Sequence, residues 1–409
     1  MASFPITAYS ACSGLGQTTA EVIDGLFAGR SGLTPADPGL GVATHVGKVP
    51  GVLPALRPEV EAYEGRQARL TQLVTLPLLP AVDAAKARWG ASRIALILGT
   101  STAGIAASES AWVHARDHGR LPASFAIERQ HSIHATCEVT RLLTGITGPG
   151  YVISTACSSS GKVFASALRL LEAGIVDAAL VGGVDSLCQL TVRGFASLEV
   201  LSPEPCRPFS AERRGINIGE GGALMLIERE RHAPLGAGER GVALLGVGES
   251  SDAHHMTSPH PEGLGARMAM ARALASAGLE ASAIDQVNVH GTGTHKNDAT
   301  ESRALLDLFG AGEAGTLPEG LAVVATKGYT GHMLGAAGAI EAVFVAATME
   351  RALLPVSRGC DPVDPDLGVA VEGAGASQPR ARQTRRALSN SLAFGGSNVS
   401  VLLGAEGEA

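Results

Sequence analysis

The feature that most limits what this chain can fold into is its exchange of short apolar runs for longer amphipathic ones. Segments 93–98 (RIALIL), 151–154 (YVIS), 178–182 (AALVG), 223–227 (ALMLI), 242–247 (VALLGV), 286–289 (QVNV), 321–325 (LAVVA) and 398–403 (NVSVLL) have the length and aliphatic content of strands. Between many of them lie stretches with helical spacing, such as 162–173, 265–277, 297–309 and 334–353. Alternation of this kind gives an α/β architecture, in which buried sheets are flanked by helices. That architecture needs much apolar material and little charge; of 409 residues, 45% are hydrophobic and 17% charged. A charged stretch with Pro and Gly at 229–241 could join two halves of similar design. A second break, 355–386, is rich in Pro, Gly and Arg and reads as loops with room for one strand.

The same numbers exclude several functions. Aromatics are only 4%, too few for a surface that stacks single-stranded bases. A net charge of -7 argues against general binding to nucleic acid or to a membrane surface. No apolar run approaches the ~20 residues of a membrane span, and the N-terminus lacks a basic segment followed by a long apolar one. The six cysteines (12, 137, 157, 188, 206 and 360) form no CxxC pair and no framework spacing, which favours a reducing compartment. A cytoplasmic location is expected.

One cysteine stands apart. In "YVISTACSSSGKVFASALRL" (151–170) an apolar strand runs through Cys157 into a helix. Val163, Ala167, Leu170 and Leu171 share one helical face, and Gly174 can end the helix. Cys157 therefore falls just before or within the first turn, where free N–H groups favour an anion. Its pKa is expected below the usual ~8.5. Ala156, Ser158 and Gly161 leave room for a substrate, and the same N–H groups could hold the oxyanion of an attacked thioester. The alternative is a thiol serving as a small buried hydrophobe. Cys137 and Cys188 read as structural.

Two further loops have a similar shape. "QVNVHGTGTHKNDATES" places His290 directly after a strand and ahead of a helix expected to begin near Asn297 or Asp298. "VVATKGYTGHMLGAAGAIEA" places Lys327 and His332 between a strand and a Gly/Ala-rich helix. Near that helix N-terminus the dipole disfavours imidazolium, so His332 should stay neutral and donate a hydrogen bond. A lone histidine is more often a satisfied structural residue. Two of them in such loops, beside a third loop with Cys157, point to nucleophilic catalysis. Zinc hydrolysis fits less well. There is no HExxH, His290 and His295 are five apart, and no persuasive ligand pattern surrounds His254, His255 and His260. No metal is expected.

"STACSSS", "VHGTGTHKND", "TKGYTGHMLGAAGAIEA" and "SNSLAFGGSNVSVLLG", in this order and spacing, resemble an elongating β-ketoacyl-ACP synthase. "CRPFSAERRGINIGEGGALMLIERE" (206–230), "SDAHHMTSP" (251–259) and the opening 10–33 extend the resemblance over nearly the whole chain. It implies a thiolase fold: two similar halves, here 1–235 and 236–409, forming a five-layered α-β-α-β-α sandwich, normally in an obligate dimer. It also implies no organic cofactor. By the same resemblance, Cys157 accepts the acyl chain from acyl carrier protein (ACP). His290 and His332 stabilise the enolate formed when malonyl-ACP loses CO2, and Lys327 and Glu341 support the histidines. The N–H groups of Cys157 and Phe394 form the oxyanion hole, Phe394 gates the acyl pocket, and Thr292 and Thr294 bind the phosphopantetheine arm. Arg66 and Arg69, with Arg129 and Arg207 as further candidates, would dock the acidic carrier protein.

The chain departs from the family pattern at four places. Ala393 replaces a glycine before Phe394, Leu392 stands where Phe is common, "CSSS" replaces Cys-Ala-Thr, and Asn217 replaces an apolar residue. A role in fatty-acid synthesis is expected. The alternative is a ketosynthase of a polyene or polyketide-type secondary pathway, homodimeric or paired with a chain-length factor. A biosynthetic thiolase would need a second cysteine near the C-terminus, where "SNSLAFGGSNVS" has none. An initiating synthase would use Asn in place of His332, and a chain-length factor would lack the nucleophile.

Overall fold

The computed structural model describes residues 3–236, 238–310 and 316–407; Ala237, within the mid-chain charged stretch, lies outside them. Ten strands form the frame: β1 (Phe4–Cys12), β2 (Ile94–Gly99), β3 (Gly150–Ile153), β4 (Ala178–Asp185) and β5 (Gly221–Glu228), then β6 (Val242–Ser251), β7 (Gln286–Asn288), β8 (Ala322–Val324), β9 (Arg386–Leu392) and β10 (Ser397–Ala405). They are hydrogen-bonded in the order β8-β7-β9-β10-β6-β1-β5-β4-β2-β3.

That order contains one topology twice. Numbered within each five, both sets run 3-2-4-5-1 from their outer edge. In the first, β1 and β4 are antiparallel to β5, while β4, β2 and β3 are mutually parallel. In the second, β6 and β9 are antiparallel to β10, while β9, β7 and β8 are mutually parallel. The sets meet where Phe4–Ile6 pairs antiparallel with Val242–Leu244, and the charged stretch at 229–241 is the covalent link between them.

Six helices complete the part of the fold that matters here: α1 (Arg66–Thr75), α2 (Ser159–Glu172), α3 (Gln189–Ser197), α4 (Leu264–Ser276), α5 (His295–Phe309) and α6 (Ala337–Arg351). Strands buried on both faces show where the layers lie. In β2, Ala95 and Ile97 join a core with Val163 and Phe164 of α2 and Ile340 and Phe344 of α6. Their neighbours Ile94, Leu96 and Leu98 point the other way, onto Leu70 and Val74 of α1. In the second half, Val399 and Val401 of β10 face α2 and α6, while Leu402 faces Met270 of α4 and Leu305 of α5. Strict alternation between two apolar cores is the period-2 signature of a strand covered on both sides. The result is the five-layered sandwich that the resemblance implies, with α2 and α6 as its middle layer. Helix α6 is buried throughout Ala337–Met349, as a helix apolar on every side must be.

Two strands were not legible in the periodicity. β1 (FPITAYSAC) carries Pro5, Thr7 and Ser10, and β9 (RALSNSL) buries Ser389, Asn390 and Ser391. Helix α5 begins at His295, earlier than expected, because the Thr294 hydroxyl accepts the Asn297 N–H as its N-cap. Among the described residues no helix is long and apolar enough to cross a membrane.

Candidate active site

Three connections leave carboxyl ends of parallel strands and enter helices: β3 to α2, β7 to α5, and β8 to α6. Open α/β sheets collect their chemistry at that edge, since helix N-termini and loop amides point into the same space. Cys157, His290 and His332 converge there; Sγ and one ring nitrogen of each histidine all lie within 4.8 Å of one another. The imidazole centroids are 5.1 Å apart with planes at 83°, so one ring edge faces the other ring. Cys157 is 6% exposed and both histidines 2%.

The cysteine elbow is held by hydroxyls. The Ser159 hydroxyl accepts the Thr155 N–H at 2.9 Å and donates to the Ala156 carbonyl at 2.6 Å, while the Ser158 hydroxyl donates to the Thr155 carbonyl at 2.9 Å. Ala156 is forced to φ +52°, a left-handed conformation that a non-glycine residue holds only when its surroundings impose it. From the other side, the Ser101 hydroxyl donates to the Ala156 carbonyl, and buried Asp185 gathers the Thr100–Thr102 turn through both hydroxyls and two N–H groups. The serines that depart from the family pattern are thus the elbow's own fastenings. Ser160 serves the neighbouring helix, its hydroxyl accepting the Ala339 N–H at the start of α6. Gly161 does not make room for substrate. A Cβ there would lie 2.5 Å from Val399, so its smallness lets α2 pack into the middle layer.

The expected fall in the Cys157 pKa does not occur. Burial pushes the thiol up to about 11, and Lys327 with the N–H groups of Phe394 and Cys157 recovers only part of that. Loss of water outweighs the helix terminus, so burial favours the thiol over the thiolate. The N–H groups of Cys157 and Phe394 nevertheless converge on the sulfur. They are the pair assigned by resemblance to the oxyanion hole.

Both imidazoles are neutral. Burial, then Lys327, then His332 hold the His290 pKa well below its ordinary value; burial, then Lys327, do the same for His332. His332 is neutral as expected, with burial rather than the helix end as the main cause. Lys327 has only donors. Its Nζ lies 3.3 Å from His290 Nδ1, bonds the His290 carbonyl, and meets Glu341 Oε1 at 2.5 Å. Nδ1 must then accept, so the neutral His290 ring carries its proton on Nε2. Neither ring nitrogen of His332 has a hydrogen-bond partner among the described residues. The His332 backbone is pinned, its N–H donating to the Asn217 carbonyl at 2.7 Å. Asn217 itself accepts the Cys206 N–H and donates to the Ser202 and Glu204 carbonyls. A buried amide at that departure therefore staples the Ser202–Cys206 loop beside the loop that carries His332.

Two positioning carboxyls were not singled out from the sequence. Glu301, fully buried on α5, accepts the N–H groups of His290 (2.8 Å) and Gly291 (2.9 Å), and burial pushes it up to about 7. Asp298, one turn earlier, accepts the N–H of Phe209 at 2.8 Å and of Gly293 at 3.2 Å. The acidic residues of "HKNDATES" gave the available signal, but their role depends on which helix face is buried. Glu341 is also pushed up to about 7 by burial, with Lys327 opposing.

A cavity of about 390 Å³ opens over the cysteine, lined by Thr292, Thr294, His295, Phe195, Leu392 and Phe394 among others. The two threonine hydroxyls are 2.9 Å apart. Phe394 is 36% exposed, and its ring lies 5.6 Å from that of Phe195 on α3. The left-handed residues after it are Gly395 (φ +83°) and Gly396 (φ +74°). Ala393 is absent from the positive-φ positions, so this arrangement of the loop does not require glycine there.

Three of the four arginines expected to dock the carrier protein are half-buried and engaged within the chain. Arg66 bonds both oxygens of buried Glu220, Arg69 pairs with Glu64 at 2.7 Å, and Arg207 pairs with Glu212 and the Asp361 carbonyl. Arg129 is the exposed member of the four.

Residues 4–233 match the family described as "Beta-ketoacyl synthase, N-terminal domain", and residues 242–361 match "Beta-ketoacyl synthase, C-terminal domain". Nodulation protein E of Rhizobium meliloti is 31% identical over 96% of this chain and 97% of its own. The mitochondrial 3-oxoacyl-[acyl-carrier-protein] synthase of Arabidopsis thaliana is 37% identical over 63% of this chain and 57% of its own. A ketosynthase from Xenorhabdus doucetiae, solved in complex with its chain length factor, superposes with a TM-score of 0.86 at 37% identity, covering 98% of both chains. With both family halves matched in order over the described fold, the chain belongs to the beta-ketoacyl synthases and is an acyltransferase.

Proposed function

We propose that the protein is an elongating ketosynthase that uses Cys157 as acyl acceptor and the two histidines as enolate stabilisers. The observation that carries this reading is the meeting of one buried thiol with two neutral imidazoles and two converging N–H groups. In the first half-reaction Cys157 Sγ attacks an acyl-ACP thioester. The thiol proton is passed to the departing carrier thiolate, a transfer that either imidazole alone can relay, while the N–H groups of Cys157 and Phe394 hold the oxyanion. In the second, malonyl-ACP enters past Thr292 and Thr294, and its carboxylate leaves as CO2. The electron pair left behind is held as an enolate by N–H donation from His290 Nε2 and His332. Its carbon attacks the Cys157 thioester, the sulfur leaves and regains a proton, and 3-oxoacyl-ACP is formed.

Neutral donors suit this step, since they stabilise charge that exists only during the reaction. Lys327 and Glu341 hold the His290 tautomer, and the two units 1–235 and 236–409 supply the nucleophile and the histidines respectively. The test is single turnover. His290→Ala and His332→Ala should acylate at near the native rate and lose at least about 100-fold in condensation, the usual cost of one such donor. Equal losses in both half-reactions would contradict the assignment.

The working pathway is fatty-acid synthesis, in keeping with the likeness to a 3-oxoacyl-[acyl-carrier-protein] synthase. A second reading has its own support. The full-length likeness to a ketosynthase that is solved with a chain length factor favours a secondary pathway and a heterodimer. Extension of saturated acyl-ACPs by the chain alone supports the first, and dependence on a nucleophile-free partner subunit supports the second.

A further inference from the structure

We propose that the Cys157–His290–His332 cluster also binds a zinc ion, and that an ion held there closes the enzyme to acylation. A thiolate with two imidazoles is a zinc donor set, and three protein ligands with an open fourth position are enough. Around a tetrahedral ion with bonds of about 2.0–2.3 Å, donor atoms sit roughly 3.3–3.8 Å apart. The three donors here lie within 4.8 Å of one another, so side-chain rotations of about 1 Å complete the cage. A second observation is independent of that spacing. His332 is 2% exposed, and both its ring nitrogens lack a partner among the described residues. A buried polar group without a partner carries a desolvation cost, which a ligand relieves.

Binding exchanges one proton for the ion: the Cys157 thiol releases H+ to solvent, sulfur bonds zinc, and nothing is oxidised. His332 and Cys157 are the first two ligands. His290 becomes the third by moving its proton to Nδ1, which requires Lys327 to leave its 3.3 Å contact there and keep Glu341 and the His290 carbonyl. Lys327 thus opposes the ion twice, by its charge and by its hold on the ring. The consequence for turnover rests on the proposed role of Cys157 as acyl acceptor; binding itself does not, and is measured separately.

The experiment titrates metal-free full-length protein with Co2+, followed by Zn2+ displacement, and reads the thiolate-to-cobalt charge-transfer band. One equivalent should bind with that band and be displaced by Zn2+. Cys157→Ala should lose the band. His332→Ala should weaken binding at least about 100-fold, since even outer-sphere partners cost 10–100-fold. Lys327→Ala should tighten it. Wild-type protein pre-acylated on Cys157, whose fold is not in question, must show no band. A control remote from the cluster, His114→Ala/His118→Ala, removes a stacked pair of one half-buried and one exposed ring and should change nothing. Cobalt binding without the band, equal binding by Cys157→Ala, or no binding at all would overturn the proposal.

Discussion

At the scale of single residues, the site depends on carboxyls kept where water is absent. Glu301 accepts two consecutive N–H groups of the His290 loop, and a glutamine can accept only one of them. Glu301→Gln should lower stability by about 1–3 kcal/mol, the cost of leaving one buried N–H without an acceptor. Protonation adds a signature. A carboxyl raised from 4.5 to about 7 binds its proton more tightly when folded, so its contribution is full below pH ~4.5 and is lost as pH rises towards ~7. The gap between wild type and Glu301→Gln in denaturant unfolding should therefore narrow from pH 5 to pH 7. The neutral histidines act in the opposite sense, their contribution being present above pH ~6.5 and lost below it. Arg66 gives a separate forecast. Because its guanidinium holds buried Glu220, Arg66→Ala should cost about 2 kcal/mol in unfolding, whereas Arg129→Glu should raise KM for ACP substrates and spare small thioesters. Cys157, His290 and His332 were legible in the sequence, because each follows an apolar run and precedes a helix. Glu301 and Asp185 were not, since a carboxylate's role depends on a burial that no short window shows. The thiol's charge was misjudged for the same reason: local geometry predicts an anion, and only the packed structure reveals how little water reaches it.

At the scale of elements, the two middle helices set the distance from the cysteine loop to the second histidine loop. They cross at glycines. A Cβ on Gly338 of α6 would stand 2.7 Å from the Gly161 N and 3.0 Å from the Ser391 hydroxyl, with nothing flexible on the backbone side to give way. Gly338→Ala should thus cost about 1–3 kcal/mol as overpacking and slow acylation as well, since α2 starts just after Cys157. Thermal unfolding and acylation rate measured together check it; a variant with full stability and rate would show that the crossing can relax. The Gly/Ala richness of "GAAGAIEA" announced this close contact, and the helix lengths followed from periodicity. Strands β1 and β9 escaped because they bury polar side chains whose partners no short window shows: the Ser10 hydroxyl of β1 donates to the Val74 carbonyl, and the Asn390 amide of β9 donates to Glu301.

At the scale of the molecule, the repeated 3-2-4-5-1 order places the cysteine in one half and the histidines in the other, so the site exists only when both have packed. The sheet ends at β3, which pairs with β2 alone among the described residues. Nearby, Leu142 and Ile133 are 47% and 39% exposed on the segment that covers this strand. An open edge beside exposed apolar side chains is a surface built for a partner. Native mass should show an assembly of two chains, each of 41.5 kDa if the protein pairs with itself, and Leu142→Asp should shift it to monomer. Retention of the dimer would move the interface elsewhere. The reading as a whole rests on Cys157 as the atom that carries the growing chain. Intact-mass analysis of the protein and its Cys157→Ala variant, after incubation with acyl-ACP and then malonyl-ACP, tests that directly. The account predicts one acyl adduct on the wild type, absent from the variant, that disappears on adding malonyl-ACP as a β-ketoacyl-ACP two carbons longer forms. An adduct of equal yield on Cys157→Ala, or folded wild type that no acyl-ACP modifies, would contradict it.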